Sequence, residues 1–397
     1  MMDVISVFLF FIIFQNIILS LLPAFFGFWD ECFTIICFFI YIVRSKNRTS
    51  IGDIYVILLL LASILTCLLG NFIYGYQSSI DGCIRDILGY CKFPIVFLCL
   101  SRLDLKVCIV RSILKLIPVI KAVILLTFAF GLISFVVDLG MTQNEFRMGI
   151  HPYYFIFSHP TYLTTSFAFL LCVLNASKKI TKFDEFLILS CILMAMRTKG
   201  VVFIFVYIFI KYFFRIFRNH LYFFVLCILL VVLAVSYQKL QLYSSYSNSP
   251  RESLYKGAIE LFINNFPFGS GFCTFASHVS GKFYSYVYYF IHIAGLYDED
   301  GNISADIGDA GLPYYIGQFG VIGSIFVLFL FIKIFLLSTK GLSITSSVYM
   351  LWALILISIP SEAILVNDGA VIGTYLIILI SLEKSFNRKV SRFIPYM

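Results

Sequence analysis

Apolar residues form long runs along the whole chain, and short polar connections separate most of them. A run of about 17–25 apolar residues has the length of an α-helix that crosses the hydrocarbon core of a membrane. The pattern predicts an all-α fold, a polytopic transmembrane helix bundle of about twelve spans that makes residues 1–397 a single membrane domain. The predicted spans lie near residues 4–22, 24–43, 54–74, 84–100, 117–138, 155–175, 186–196, 200–214, 221–236, 312–336, 344–360 and 365–382.

The runs near 186–196 and 200–214 are each short for a complete crossing. The polar segment Met196-Arg197-Thr198-Lys199-Gly200 separates them. Irregular backbone at membrane depth must be surrounded by protein or line a water-filled space. We therefore expect a broken pair of helices that meets at a cleft on the exterior side.

Composition agrees with a membrane protein and excludes a soluble one. Hydrophobic residues make up 61% of the chain and charged residues 13%. Ordinary soluble domains contain about 45–50% apolar and about 25% charged residues. The 11 cysteines fall mostly within apolar runs and form no Cys-x-x-Cys pair, as expected of small buried residues and not of a disulfide or metal framework.

Lys and Arg residues concentrate in alternate connections and in the C-terminal tail. Such residues accumulate in short cytoplasmic loops, so we expect both termini to lie in the cytoplasm. The formal net charge of +8 then reflects this bias and not a surface for nucleic acid, which we do not expect as a partner.

A smaller set of basic residues breaks this rule. A cation within the membrane or on its outer face costs free energy unless it forms a pair or serves a function. A structural ion pair or an interfacial anchor is the favoured interpretation for three of them, Arg85, Lys239 and Lys282. The complete set is Arg85, Lys92, Arg147, Arg197, Lys199, Lys239, Arg251, Lys256 and Lys282.

The only sizeable segment outside the predicted spans is the loop over residues 237–311, which the charge pattern places on the exterior side. Ser249-Pro250-Arg251-Glu252 has the features of a capping box with proline at the first helical position, and helically spaced apolar residues follow it. The loop is therefore predicted to contain an amphipathic helix. Gly269-Ser270-Gly271 then predicts a tight turn, and the acidic segment 298–302 is interpreted as a solvated turn and not a metal site.

Four segments resemble the bacterial O-antigen and capsular polysaccharide polymerases (Wzy-type), which share a superfamily with the O-antigen ligases. Arg147-Met148-Gly149 with Phe157-Ser158-His159-Pro160-Thr161 resembles that family's outer-loop arginine and helix-opening His-Pro segment. Residues 196–200 resemble its basic turn between two short spans, although Arg-Thr-Lys replaces the usual Ser-Arg. Residues 251–271 resemble its arginine-led helix and glycine turn, and residues 309–323 the re-entry of its large loop into the membrane.

The resemblance implies a GT-C-like membrane fold in the bacterial inner membrane, with an active site that faces the periplasm. It implies transfer of a polyprenyl-pyrophosphate-linked oligosaccharide onto another lipid-linked repeat unit, with membrane lipids as surroundings and a chain-length regulator protein as a further partner. Guanidinium groups hold pyrophosphate well, so the expected clamp is Arg147, Arg197, Lys199 and Arg251.

The acceptor hydroxyl also needs a group that takes its proton. Asp309 is the first candidate for this general base, and His159 and His292 follow; for each histidine, a polar group satisfied at a helix end is an equal interpretation. We expect no metal and no cofactor, because fixed cations can stabilise the leaving charge as a divalent ion would.

Three alternatives stay open at this level. An O-antigen ligase would use the same donor and the lipid A core as acceptor, but such ligases carry a histidine where this chain has Asp309. A transporter or flippase would show internal repeats and charges near the midplane of several spans, and the chain has no evident repeat. The third alternative is a non-catalytic membrane scaffold, but that function would not explain why cations occur on the exterior side.

Overall fold

The computed structural model describes residues 4–22, 24–45, 50–103, 105–144, 146–147, 149–213, 250–283, 285–291 and 310–392. Within these ranges the regular structure is helical and contains no β-strand, only two isolated β-bridges. The predicted span near 221–236 and the predicted cap residue Ser249 lie outside them. The all-α prediction is confirmed for the described residues.

Six described helices are long and apolar enough to cross a membrane. Their apolar side chains face outward as well as inward: Leu58, Leu61 and Leu65 are 55%, 50% and 60% exposed along one face of one helix. A soluble protein rarely leaves so large an apolar surface in water, whereas lipid solvates it. The described part of the chain is therefore all-α, with several helices of membrane-spanning length. The six segments are Val4–Leu21, Phe26–Val43, Ile51–Tyr74, Lys106–Ser134, Gly311–Thr339 and Gly369–Phe386.

Fifteen α-helices are described. They are α1 Val4–Leu21, α2 Trp29–Ser45, α3 Ile51–Tyr74, α4 Ile80–Arg102, α5 Lys106–Ser134, α6 Pro160–Ala176, α7 Lys182–Met194, α8 Thr198–Ile208, α9 Pro250–Asn264, α10 His278–Lys282, α11 Val287–Phe290, α12 Gly311–Thr339, α13 Ser347–Ser358, α14 Ile364–Asn367 and α15 Gly369–Arg392. A 3-10 turn, Ala24–Phe28, precedes α2, and a π-helical turn, Phe209–Phe213, follows α8.

The predicted break between two short helices is confirmed. Helix α7 ends at Met194 and α8 begins at Thr198, and Met196 between them has a φ of 48°. This left-handed backbone reverses the chain in very few residues. The reversal brings Arg197 and Lys199 to the start of an otherwise apolar helix.

The predicted glycine turn is also confirmed, and it has a specific partner. Gly269 and Gly271 have φ values of 77° and 97°. Helix α12 is interrupted at Gly320, where φ is 59°, and backbone N–H groups of the turn bond to the carbonyls that the interruption frees. Ser270 N donates to Gly317 O at 3.0 Å and Gly271 N to Gln318 O at 3.0 Å. The turn therefore satisfies buried backbone groups at a helix break.

A buried ion triplet ties α4 to α2. Lys92 Nζ lies 2.7 Å from Asp30 Oδ2 and 2.6 Å from Glu31 Oε1, and the lysine side chain is 7% exposed. Both acidic residues occupy the first turn of α2, where a helix dipole favours negative charge. The cation in the middle of α4 is thus compensated within the bundle.

Candidate functional site

The start of α8 places Arg197 against two neighbouring segments. Arg197 Nη2 lies 2.6 Å from His159 Nε2 and donates to Gln143 Oε1 at 2.9 Å. A guanidinium has only hydrogen-bond donors, so His159 Nε2 accepts in this contact. His159 is itself the N-cap of α6. Arg197 therefore joins the starts of α6 and α8 to the segment that carries Gln143.

Arg147 lies in that same segment, on a short reversal. Arg147 N donates to Ile150 O at 3.0 Å, and Ile150 N donates back to Arg147 O at 3.1 Å. Gly149 has a φ of 80° within the reversal, and Gln143 N bonds to Pro152 O at 2.9 Å. The loop with half-buried Arg147 thus reaches Arg197 through Gln143.

Lys199 is held by the connection between α13 and α14. Its Nζ lies 2.6 Å from Glu362 Oε1, and the lysine side chain is 8% exposed. The start of α12 packs on the same connection, since a Cβ at Gly311 would lie 2.4 Å from Glu362 O. Lys199, at the start of α8, and Gly311, at the start of α12, therefore both pack on the connection between α13 and α14.

Helix α9 docks on this connection as well. Tyr255 Oη donates to Pro360 O at 2.7 Å. Burial raises the pKa of Tyr255 to about 12, and nearby Arg251 opposes that shift. The tyrosine is thus a neutral donor at neutral pH, and Arg251 lies within electrostatic range of its hydroxyl. This contact brings the arginine of α9 toward the segment that holds Lys199.

The segments that carry the four predicted clamp residues therefore lie in one region, and two of these residues make direct side-chain contacts there. Arg197 and Lys199 belong to one helix start and make direct contacts with His159 and Glu362. Arg147 and Arg251 are linked to them through Gln143 and through the Tyr255–Pro360 contact. The two remaining predicted site residues, His292 and Asp309, lie outside the described residues.

The region around Arg147, Arg197, Lys199 and Arg251 is named the cation cluster, and a cavity of about 330 Å³ opens beside it. It lies among the end of α1, the start of α2, the start of α6 and the junction of α14 with α15. Ser158, which lines it, precedes His159 in the chain. The lining is mainly polar or aromatic and comprises Gln15, Asn16, Leu19, Ser20, Gly27, Trp29, Asp30, Ser158, Tyr162, Asn367, Asp368 and Val371.

Sequence reasoning did not single out Gln143, Glu362 or Asp368. Asp368 lies within the predicted span 365–382, and a charge inside an apolar run is the signal that could have identified it. Asn367-Asp368-Gly369 is also a turn signature. Gln143 has no comparable signal, because its role depends on a contact with Arg197, far away in sequence.

The described part of the chain contains no group of three or more His, Cys, Asp or Glu side chains arranged to hold a metal ion. Comparison of the chain with protein-family models, with curated proteins and with solved structures finds no match.

Proposed function

We propose that this protein is a polysaccharide repeat-unit polymerase, a membrane glycosyltransferase that acts on polyprenyl-pyrophosphate-linked glycans. The observation that carries the proposal is the shared location of the basic segments. Arg197 and Lys199 begin one helix, the loop of Arg147 reaches them through Gln143, and the helix of Arg251 docks two residues from Glu362. Cations brought together from segments far apart in sequence suit a multiply charged anion at the edge of an apolar bundle.

The proposed topology has about twelve spans, both termini in the cytoplasm and one large periplasmic loop over 237–311, in a bacterial inner membrane. Contacts among described helices support it. The starts of α6, α8, α12 and α15 and the end of α13 meet in one region. Alternating helix direction would bring these ends to one side of a membrane, opposite most of the basic connections.

In the proposed reaction, the cations hold the pyrophosphate of the donor and stabilise its charge as the sugar leaves. Arg197 is fixed by His159 and Gln143, and Lys199 by Glu362, so these groups need little reorganisation during the reaction. Asp309 is the first candidate for the base at the acceptor hydroxyl, with His159 and His292 as further candidates. In the arrangement described, His159 Nε2 already accepts from Arg197, which favours a positioning role for this histidine.

Deletion of the gene, followed by complementation, tests this function. Wild type should restore long glycan, whereas Arg197→Ala should leave a single repeat unit on its carrier or on the core. Arg85→Ala is the matched control, because Arg85 pairs with Asp81 at the surface and lies outside the cluster. Long polymer that is not attached to core would indicate a ligase instead. Unchanged glycan after deletion would reject both transferase functions.

A further inference from the structure

The cavity beside the cation cluster has the chemical character of a site for a neutral, hydroxyl-rich ligand. Side-chain amides of Gln15 and Asn16 offer both donors and acceptors, and the carboxylates of Asp30 and Asp368 offer acceptors. Trp29 adds an aromatic face against which the C–H face of a sugar ring can pack. A volume of about 330 Å³ is at the lower end of the range for small-molecule pockets, about 300–1,000 Å³.

The charge balance of the cavity also favours a neutral ligand over an anion. The negative charge of Asp30 is compensated by Lys92, whose Nζ lies 2.7 Å from Asp30 Oδ2 and whose side chain is buried. The remaining charged group in the lining is the carboxylate of Asp368. A pyrophosphate would be repelled here, whereas the hydroxyls of a sugar would find acceptors.

Asp368 has a distinct position in this lining. It is half-buried at the junction of α14 and α15, and no hydrogen bond joins its carboxylate to another described residue. Lys92 and Lys199 both lie within electrostatic range of it, as does Glu362. Lys199 belongs to the cation cluster, so Asp368 lines the cavity and also lies within electrostatic range of the proposed pyrophosphate site.

We propose that this cavity binds the acceptor sugar and that Asp368 is the general base that takes the proton of its attacking hydroxyl. The inference rests on the proposed polymerase function and assigns to Asp368 the role of general base, for which Asp309 is the first candidate from the sequence. Ser158 and Tyr162 line the cavity on either side of His159, which contacts Arg197. The acceptor would therefore lie next to the group that holds the donor's pyrophosphate.

The step balances with the groups named. The acceptor hydroxyl gives its proton to the Asp368 carboxylate, and its oxygen forms a bond to the anomeric carbon of the donor sugar. The bond from that carbon to the pyrophosphate oxygen breaks, and its electron pair stays on the pyrophosphate beside Arg197 and Lys199. The products are one new glycosidic bond and one polyprenyl pyrophosphate, and the proton on Asp368 is released to water.

The test uses the full-length purified protein in lipid nanodiscs, with lipid-linked single repeat units extracted from the deletion strain as substrate. Asp368→Asn keeps the shape of the side chain and removes its basicity, so kcat should fall by about 10²–10⁴-fold. Inhibition by inorganic pyrophosphate should stay within about twofold of wild type, because the cation cluster is intact, whereas Arg197→Ala should weaken it by about tenfold or more. Asp81→Asn is the control for the same chemical change at an exposed carboxylate.

A second variant tests the cavity without altering a charge. Gly27 lines the cavity, and a Cβ there would meet no atom within 4 Å, so Gly27→Trp introduces bulk without an immediate clash. It should raise KM by about tenfold or more, since sugar contacts are lost in both ground and transition states. Val7→Trp, at a 53% exposed position on the outer face of α1, should leave KM unchanged.

The outcomes separate the two proposals. Absence of polymer with wild-type protein would overturn the polymerase function and the acceptor site with it. Polymer from wild type and, at a similar rate, from both Asp368→Asn and Gly27→Trp would overturn the acceptor site alone. Loss of activity in Asp309→Asn with full activity in Asp368→Asn would return the role of base to Asp309. If Asp368→Asn fails to fold, an unchanged KM in Gly27→Trp still contradicts the acceptor site.

Discussion

The Arg197 guanidinium lies 2.6 Å from the His159 imidazole, so two helix starts that are far apart in sequence are held by one polar contact. The geometry gives the histidine a definite role, because a guanidinium donates and does not accept hydrogen bonds. His159 Nε2 supplies the lone pair, and the histidine, together with Gln143, fixes the position of the Arg197 guanidinium.

This role predicts different results for two substitutions of His159. Glutamine can place an acceptor oxygen near the position of Nε2, so His159→Gln should retain most of the polymerisation rate. His159→Ala removes the acceptor, and the misplaced arginine should lower the rate by about 10–100-fold. Rates are compared with purified protein and lipid-linked single repeat units. Equal and severe losses in both variants would instead indicate that the histidine transfers a proton.

The pair of Lys199 with Glu362 predicts an effect on stability that is separate from its effect on activity. Lys199→Met leaves a largely buried carboxylate without its cation, which should lower the free energy of unfolding by about 3 kcal/mol. The double variant Lys199→Met/Glu362→Gln should recover much of this stability but none of the activity. Thermal unfolding in nanodiscs measures the stability of each variant, and polymer yield measures its activity.

Arg85→Met is the matched control for that experiment. Arg85 pairs with Asp81 one helical turn away, and both side chains are exposed, at 48% and 59%, so its removal should change the unfolding temperature little. A double variant of Lys199 and Glu362 with normal activity would show that the lysine charge is not needed for the reaction.

The junction between the glycine turn and α12 predicts a sharp contrast between two glycine substitutions. Gly269 has a positive φ, and a Cβ there would lie 2.3 Å from Gly320 N, so Gly269→Ala must displace backbone. Gly75 also has a positive φ, but a Cβ there meets no atom within 4 Å. Gly75→Ala should cost about 1 kcal/mol and Gly269→Ala at least about 3 kcal/mol. Similar unfolding temperatures for the two variants would contradict the close packing of the turn on the helix break.

The proposed topology predicts which introduced cysteines react in intact cells. With the exposed Cys32 and Cys108 replaced by serine, Lys256→Cys should react with a membrane-impermeant maleimide from the periplasm. Lys340→Cys, in the connection between α12 and α13, should react only after the membrane is opened. The opposite pattern would place the cation cluster in the cytoplasm and reject a periplasmic reaction.

The sequence predicted local features of this fold well. The break around Met196, the start of α9 at Pro250 and the positive φ of Gly269 all follow from residue types within a few positions of each other. The interruption of α12 at Gly320 was not predicted, because the residues around it form one continuous apolar run. Its carbonyls are satisfied by the turn at Gly271, and a contact between segments so far apart leaves no periodic signal.

The candidate site could likewise be predicted only in part, because single residues carry a signal in the sequence and contacts between distant segments do not. Exterior cations were identifiable because each one violates the usual distribution of charge in a membrane protein. Their partners Gln143 and Glu362 could not be identified from the sequence, since they contact Arg197 and Lys199 only in the folded chain. Asp368 was hidden by its apolar neighbours in a predicted span, although a carboxylate there is costly unless it serves a function.

The most direct test of the central claim is a count of carrier released for each linkage formed. Purified wild-type protein, given lipid-linked single repeat units, should release one polyprenyl pyrophosphate for every new glycosidic bond, and Arg197→Ala should form neither product at a measurable rate. Mass spectrometry of the lipid and glycan products gives both quantities. Normal release and normal polymer from Arg197→Ala would contradict a reaction in which these cations hold the leaving pyrophosphate.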